Sequence, residues 1–293
     1  MSGEPISTYR LQITPEFTFQ DATQLVPYLE RLGVSHAFIS PILQAAPGSM
    51  HGYDVVDHSR VSMDNGGEED LRELADALHE RGMGLIVDVV PNHMAIPTPM
   101  WHNHALWSFL RDGASSPYAS WFDSDPHAEH GFLLPVLGRP IGATILDDEL
   151  KRGTAEVPQP DGSRRTEYVL RYFDHVFPLA EGTENLPIVD LLEAQHSRPA
   201  DWGDGNDVLA YRRLFDVQTL AAVKVEDRAV FDATHATLLR LQSEGVIDGY
   251  RIDHPDGLAD PRGYLRRLES AIGGAWTVIE KILAGNESLP PDF

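Results

Sequence analysis

Residues 84–93 read Gly-Leu-Ile-Val-Asp-Val-Val-Pro-Asn-His. From Gly84 to Val90 the run is apolar except for Asp88, the pattern of a strand covered on both faces. The preceding segment, Glu68–Arg81, predicts a helix with Leu71, Leu74 and Leu78 facing inward. Glu68, Glu69 and Asp70 complement its dipole, and Gly82 ends it. Further upstream, Ser7–Ile13 reads as a strand and Asp21–Leu32 as a helix with Leu25, Leu29 and Leu32 on one stripe, stopped by Gly33. Ala37–Ser40 reads as a buried strand ending at Pro41. Downstream of His93 the alternation stops. Residues 91 to about 215 are rich in proline and aromatic residues, with a hairpin signal at Pro160-Asp161-Gly162. A structureless loop of that length is foreign to a compact domain, so the stretch predicts an inserted subdomain. The alternation returns with a helix near Asp227–Ser243, the strand Gly249–Ile252, the helix Arg262–Ile272 and the strand Trp276–Ile279.

Repeated strand–helix units with short turns predict a parallel sheet buried on both faces. The count fits an open doubly wound sheet or part of a closed eight-stranded barrel. The 293 residues are 42% hydrophobic, enough for a sizeable core. Lys+Arg 23 against Asp+Glu 45 gives a net charge of -22, which disfavours nucleic acid and anionic membrane surfaces but does not penalise a neutral ligand such as a sugar. The sequence has no cysteine, which excludes disulfides, zinc–thiolate sites and Cys nucleophiles and fits a reducing compartment. The first residues, MSGEPISTYRLQ, carry no signal-peptide pattern, and no run approaches the ~18 apolar residues of a membrane helix. A soluble, cytoplasmic protein is expected. His93, His102 and His104 lack the company of Cys or of a His-Glu-x-x-His pattern, so no metal or cofactor is expected.

In a barrel, reactive groups stand at the carboxyl ends of the strands. Each strand tip here carries groups that a buried strand should not tolerate: Tyr9-Arg10-Leu11-Gln12, the loop His51-Gly52-Tyr53-Asp54, Asp88 through His93, Arg251-Ile252-Asp253-His254, and Glu280. Arg251 and Asp253 lie two apart and point to one face of a strand. The guanidinium should keep Asp253 ionised at neutral pH, as a nucleophile requires; the alternative is a surface ion pair. Glu280 follows the apolar run Trp276-Thr277-Val278-Ile279, and partial burial there should raise its pKa, as a general acid requires. The alternative for Glu280 is a strand-end pair with Lys281. A retaining glycosidase uses such carboxylates roughly 5–5.5 Å apart. Trp101, Trp107, Trp121 and Phe122 fit either a sugar-stacking platform or the core of the insert.

DVVPNH at 88–93, GYRIDH at 249–254, the Glu at 280 and HGYD at 51–54 resemble signature regions of the α-amylase superfamily. Within it, STYRLQ, SPIL, SPYASWFD, YRRLFDV, RIDHPDGLADP and VIEKIL are similar to the maltooligosyl trehalose synthase family. The resemblance implies an α/β fold of (β/α)8 TIM-barrel type, present as about its first five units with a large insert after the third strand. Residues 1–93 would be the first part of the barrel, 94–215 the insert and 216–293 the continuation. It further implies that Asp253 is the nucleophile and Glu280 the acid/base, with Arg251 positioning Asp253. Tyr53 and His93 would hold the transferred sugar, Asp54 and Asp88 would support it, and His254 would line the site. Asn92 and Asp256 would be structural members.

The implied reaction converts the reducing-end α-1,4 linkage of a maltooligosaccharide into an α,α-1,1 linkage by retaining intramolecular transglycosylation. The alternatives are an amylase-type hydrolase and a non-catalytic oligosaccharide-binding fragment. The family pattern has an aromatic after its Gln-His pair, where this chain has Gln195-His196-Ser197, and Gly203–Val208 looks remodelled before Tyr211-Arg212-Arg213. Family members continue past a fifth strand to a third carboxylate, an Asp after a His, which a chain ending at Phe293 lacks. The 293 residues alone are therefore expected to be inactive or nearly so. The oligomeric state is open.

Overall fold

The computed structural model describes residues 4–124, 131–203, 211–212, 214–215 and 217–289. Of the segment expected to be remodelled only Gly203 falls within this set, and Arg213 and Phe293 lie outside the described residues. The chain enters through β1 (Thr8–Leu11) and α1 (Phe19–Leu32). The helix starts earlier than the hydrophobic pattern indicated because Thr18 caps it. The Thr18 hydroxyl accepts from the Asp21 amide, and the Asp21 carboxylate accepts from the Thr18 amide. Gly33 closes the helix in the left-handed conformation. Its buried stripe is Phe19, Ala22, Val26 and Leu29. Leu29 is the one member shared with the expected stripe, and Leu32 is 49% exposed on the last turn.

After β2 (His36–Ile39) comes a hairpin that local patterning did not reveal, β3 (Leu43–Ala45) against β4 (Val55–Val61). α2 (Gly67–His79) then buries Leu71, Leu74, Ala75 and Leu78, and β5 (Gly84–Val89) is buried at every position, including Asp88. The long middle of the chain carries β6 (His93–Ala95), α3 (His104–Asp112), β7 (Phe132–Leu137), α4 (Ile141–Leu146), β8 (Lys151–Pro158), β9 (Arg164–Tyr172), β10 (His175–Pro178), α5 (Ile188–Glu193) and β11 (Ser197–Asp201). β8 and β9 form the hairpin foreseen at Pro160-Asp161-Gly162, and β10 extends it. β7 pairs with β11 in parallel. Trp107 is buried and donates its Nε1–H to Glu167 at 2.9 Å, while Phe122 packs among Phe109 and Phe132. Trp101 and Trp121 are partly buried against the same core. The aromatic stretch therefore packs this region's interior instead of forming an open platform.

β12 (Leu220–Ala222) returns to pair with β6. α6 (Arg228–Ser243) is capped by Asp227, β13 (Gly249–Ile252) follows, and α7 (Pro261–Ile272) is capped by Asp260 with Pro261 in its first turn. β14 (Trp276–Ile279) completes a five-stranded parallel sheet in the order β1-β2-β5-β13-β14. α1 packs on α2, and α6 on α7. Among the described residues the sheet keeps two open edges, β1 and β14, and does not close. Arg251 stands opposite Asp88, and Ile252 opposite Ile279, so β5, β13 and β14 end level with one another. Among the described residues no helix is long and apolar enough to cross a membrane.

The cap and stripe of α1 can be separated by mutation. Thr18→Ala should cost about 1 kcal/mol and Phe19→Ala about 3–5 kcal/mol, read as shifts in urea unfolding midpoint. Equal midpoints for Phe19→Ala and the parent would contradict this packing.

Candidate active site

The level strand ends place Asp88, Arg251, Asp253 and Glu280 side by side. Asp88 is buried behind the others, 2% exposed. Arg251 Nη1 donates to both of its oxygens, at 2.9 and 3.0 Å, and to Asp253 Oδ1 at 2.7 Å. Arg251 Nη2 pairs with Glu280 Oε2 at 3.1 Å. One guanidinium thus contacts three carboxylates, which confines Asp253 and Glu280 within the reach of a single fork. The backbone holds both residues in turn. The Asp253 amide donates to Val89 O at 2.8 Å and the Glu280 amide to Ile252 O at 2.9 Å. His254 takes the left-handed conformation (φ 40°, ψ 55°) and aims its own N–H at Glu280 Oε2, at 3.0 Å. Lys281, the alternative partner of Glu280, turns instead to Asp256 and Glu287.

Tyr53 arrives on the loop of the β3–β4 hairpin. Gly52 adopts φ +83°, and a Cβ there would lie 2.9 Å from Pro41 O, so glycine is what lets the loop fold inward. The Tyr53 hydroxyl donates to Asp88 Oδ2 at 2.6 Å and accepts from Arg10 Nη2 at 3.1 Å. Burial first, then Asp88, pushes its pKa up to about 12. His93 Nε2 meets Tyr53 O at 3.0 Å, which assigns the proton to Nε2, and its buried Nδ1 has no partner within the described residues. Burial holds its pKa down at about 4, so the ring is neutral. Asp54 accepts from Ser49 Oγ at 2.5 Å and shapes the loop.

A cleft of about 420 Å³ is lined by Tyr53, Asp54, His93, Arg251, Asp253, His254 and Glu280, joined by His51, Leu214, Phe215, Leu220 and Ile282. Asp88 supports it from beneath. Asn92 and Asp256 stand outside the lining, Asn92 bonded to Arg212 and Asp256 to Lys281. Sequence patterning placed Arg10 and Gln12 at a strand tip without a role. In the structure Arg10 Nη2 joins Gln12 Oε1 to the Tyr53 hydroxyl. Phe215, noted in the sequence only as part of the family-like stretch YRRLFDV, lies against the His254 ring at 4.7 Å. Among the described residues no group of three or more His, Cys, Asp or Glu is arranged to hold a metal ion.

The electrostatics differ from the expectation. Asp253 is the buried carboxylate, its side chain 13% exposed against 35% for Glu280. Burial, opposed by Arg251, raises the Asp253 pKa to about 6. Glu280 is partly buried, as its apolar flank led one to expect, and Asp253 is the more deeply buried of the two because β14 is an edge strand and β13 lies between two neighbours. Burial likewise raises Asp88, against Tyr53 and Arg251.

Residues 18–145 match the model of the α-amylase catalytic domain. The chain is 43% identical over 298 aligned positions to a putative maltooligosyl trehalose synthase of Mycobacterium tuberculosis, covering 99% of this chain and 36% of that protein. The solved maltooligosyltrehalose synthase of Arthrobacter ramosus superimposes with a TM-score of 0.87 at 45% identity, over 98% of this chain and 36% of that one. A hypothetical maltooligosyl trehalose synthase of Sulfolobus tokodaii gives 0.83 at 36% identity, over 99% of this chain and 37% of that one. The chain therefore spans about a third of the length of these relatives and aligns with their amino-terminal part. Its open parallel sheet is a portion of a TIM-barrel-type fold.

The Asp253 shift gives a pH test. Its carboxyl, ordinarily near 3.8, titrates near 6 when folded, so the folded chain holds the proton longer than the unfolded one. Stability from this group is complete below about pH 4 and is lost as pH rises through about 6. Asp253→Asn should therefore gain on the parent by up to about 3 kcal/mol between about pH 4 and pH 8. Urea unfolding at both pH values measures it, and a gain by the parent would reverse the assignment.

Proposed function

We propose that this chain carries the glycosyl-transfer centre of a maltooligosyl trehalose synthase. The observation that carries the proposal is the guanidinium of Arg251 contacting Asp253 and Glu280 at once, inside a cleft walled by Tyr53 and His93. The similarity to synthases along 99% of the chain supports it. In this reading Glu280 protonates the last α-1,4 glycosidic oxygen of a maltooligosaccharide while Asp253, ionised above about pH 6, attacks the anomeric carbon. The bond to the leaving glucose breaks as the Asp253 ester forms. Glu280, now a carboxylate, takes the proton from the anomeric hydroxyl of the retained glucose as that oxygen attacks the ester. Two inversions restore the α configuration, and the product ends in an α,α-1,1 linkage. Neutral His93, with its proton on Nε2, and Tyr53 meet the uncharged sugar without adding charge to the cleft.

Partition between transfer and hydrolysis depends on excluding water. Leu214 and Phe215 of the middle segment line the cleft mouth. We read residues 94–215 as a subdomain inserted between the barrel portions 1–93 and 216–293 that screens the glycosyl-enzyme. A sequence without cysteine supports a cytoplasmic setting. The exposure of Glu280 beside an open sheet edge favours a second reading, that these residues bind an oligosaccharide without turning it over.

Incubation with maltopentaose of the chain extended to the length of its relatives separates the readings. Synthase chemistry lowers the reducing-end titre at constant chain length, and Glu280→Gln slows it by about 10²–10⁴-fold. A rising titre with shorter products is hydrolysis and would overturn the transfer proposal. Binding with an unchanged titre is the second reading.

A further inference from the structure

We propose that Arg212 is a positioning residue: it fixes the turn after β13 and, through the His254 amide, the carboxylate of Glu280. This rests on the role given to Glu280 above. Arg212 lies outside the cleft lining, so it does not meet substrate. Its backbone is fastened on both sides, its N–H donating to Asp123 O and its carbonyl accepting from the Ala222 amide, each at 2.9 Å. Its side chain is three-quarters buried. Nε donates to Asp123 Oδ2 at 2.8 Å, and Nη1 donates to Asn92 Oδ1 at 2.5 Å and to Gly257 O. Nη2 reaches Val223 O at 3.4 Å. One planar fork therefore ties together the turn after β5, the middle segment and the turn after β13. Lysine cannot match these directions.

The turn it grips is short. Pro255–Gly257 form a single 3₁₀ turn, the Gly257 amide donating to His254 O at 3.1 Å and the Leu258 amide to Pro255 O at 3.0 Å. Moving the Gly257 carbonyl therefore moves His254, whose N–H holds Glu280 Oε2 at 3.0 Å. Gly257 also presses on Asn92: a Cβ there would sit 2.9 Å from both amide heteroatoms. The buried Asn92 Nδ2 has no partner among the described residues, which leaves Arg212 to orient that side chain. Arg212, Asn92 and Gly257 form a wedge against the turn that carries His254, and none of the three lines the cleft.

Hydrogen exchange on the 293-residue chain tests the wedge without requiring turnover. In Arg212→Met the amides of His254, Gly257 and Leu258 should exchange at least about tenfold faster while β2 and β5 keep their protection. Arg212→Lys, keeping the charge beside Asp123 but losing the fork, should fall between parent and Met variant. Unchanged exchange at these three amides in Arg212→Met overturns the proposal. If Arg212→Met does not fold, Gly257→Ala, which drives the Asn92 amide off its seat, must loosen the same amides or the proposal fails. In the maltopentaose assay kcat of the folded Arg212→Met protein should fall by about 10²-fold with KM within about twofold. A parental kcat would also overturn it. Failure of the glycosyl-transfer reading shows separately, as equal titres for the parent and Glu280→Gln while the exchange result stands.

Discussion

One positive charge holds this site together. Asp88, Asp253 and Glu280 converge at the ends of three adjacent strands, and only the Arg251 guanidinium among the contacts described joins them all. Without it, three carboxylates would crowd a region where burial already disfavours the ionised forms of Asp88 and Asp253. Burial alone would depress the guanidinium's own pKa, yet Asp88 and Asp253 raise it, so it stays cationic at any pH where the fold persists. Tyr53, Arg10 and the His254 amide extend this core of charge into a continuous set of hydrogen bonds.

The arrangement has a deep wall and a shallow rim. Asp88 and Asp253 sit at strands flanked on both sides, Tyr53 reaches them from the β3–β4 loop, and Glu280 sits at the end of the outer strand. A group that must form and release a covalent bond benefits from a dry, fixed seat. A group that must pass a proton between leaving and attacking oxygens works from a more open position. The neutral imidazole of His93 completes the wall without competing for Arg251.

Much of this was legible in the sequence because it depended on local pattern. The apolar run through Gly84–Val90 with its one Asp, the stripe of Leu71, Leu74 and Leu78, and the turn at Pro160-Asp161-Gly162 each carry their own periodicity or turn chemistry. The Arg251–Asp253 spacing showed that both side chains share a face. What escaped depended on contacts distant in sequence. The α1 stripe moved because the Thr18 cap starts the helix at Phe19. The β3–β4 hairpin has a shifted, irregular register that local alternation does not reveal. The deeper burial of Asp253 than of Glu280 was not legible, since sequence says what flanks a residue and not whether its strand is central or at an edge. Arg10 drew no assignment for the same reason, its partner Tyr53 lying on a different loop.

The pairing of Arg251 opposite Asp88 also bears on assembly of the sheet. Side chains alternate across a strand, so a slip of β13 by one residue would turn Arg251 and Asp253 to the reverse face and strand Asp88 with no cation. Hydrophobic residues tolerate such slips better than ions do, because one aliphatic neighbour can replace another. The charged cluster thus favours one alignment over its neighbours: a slipped sheet leaves charge unpaired, and the aligned one brings Asp88, Arg251, Asp253 and Glu280 together.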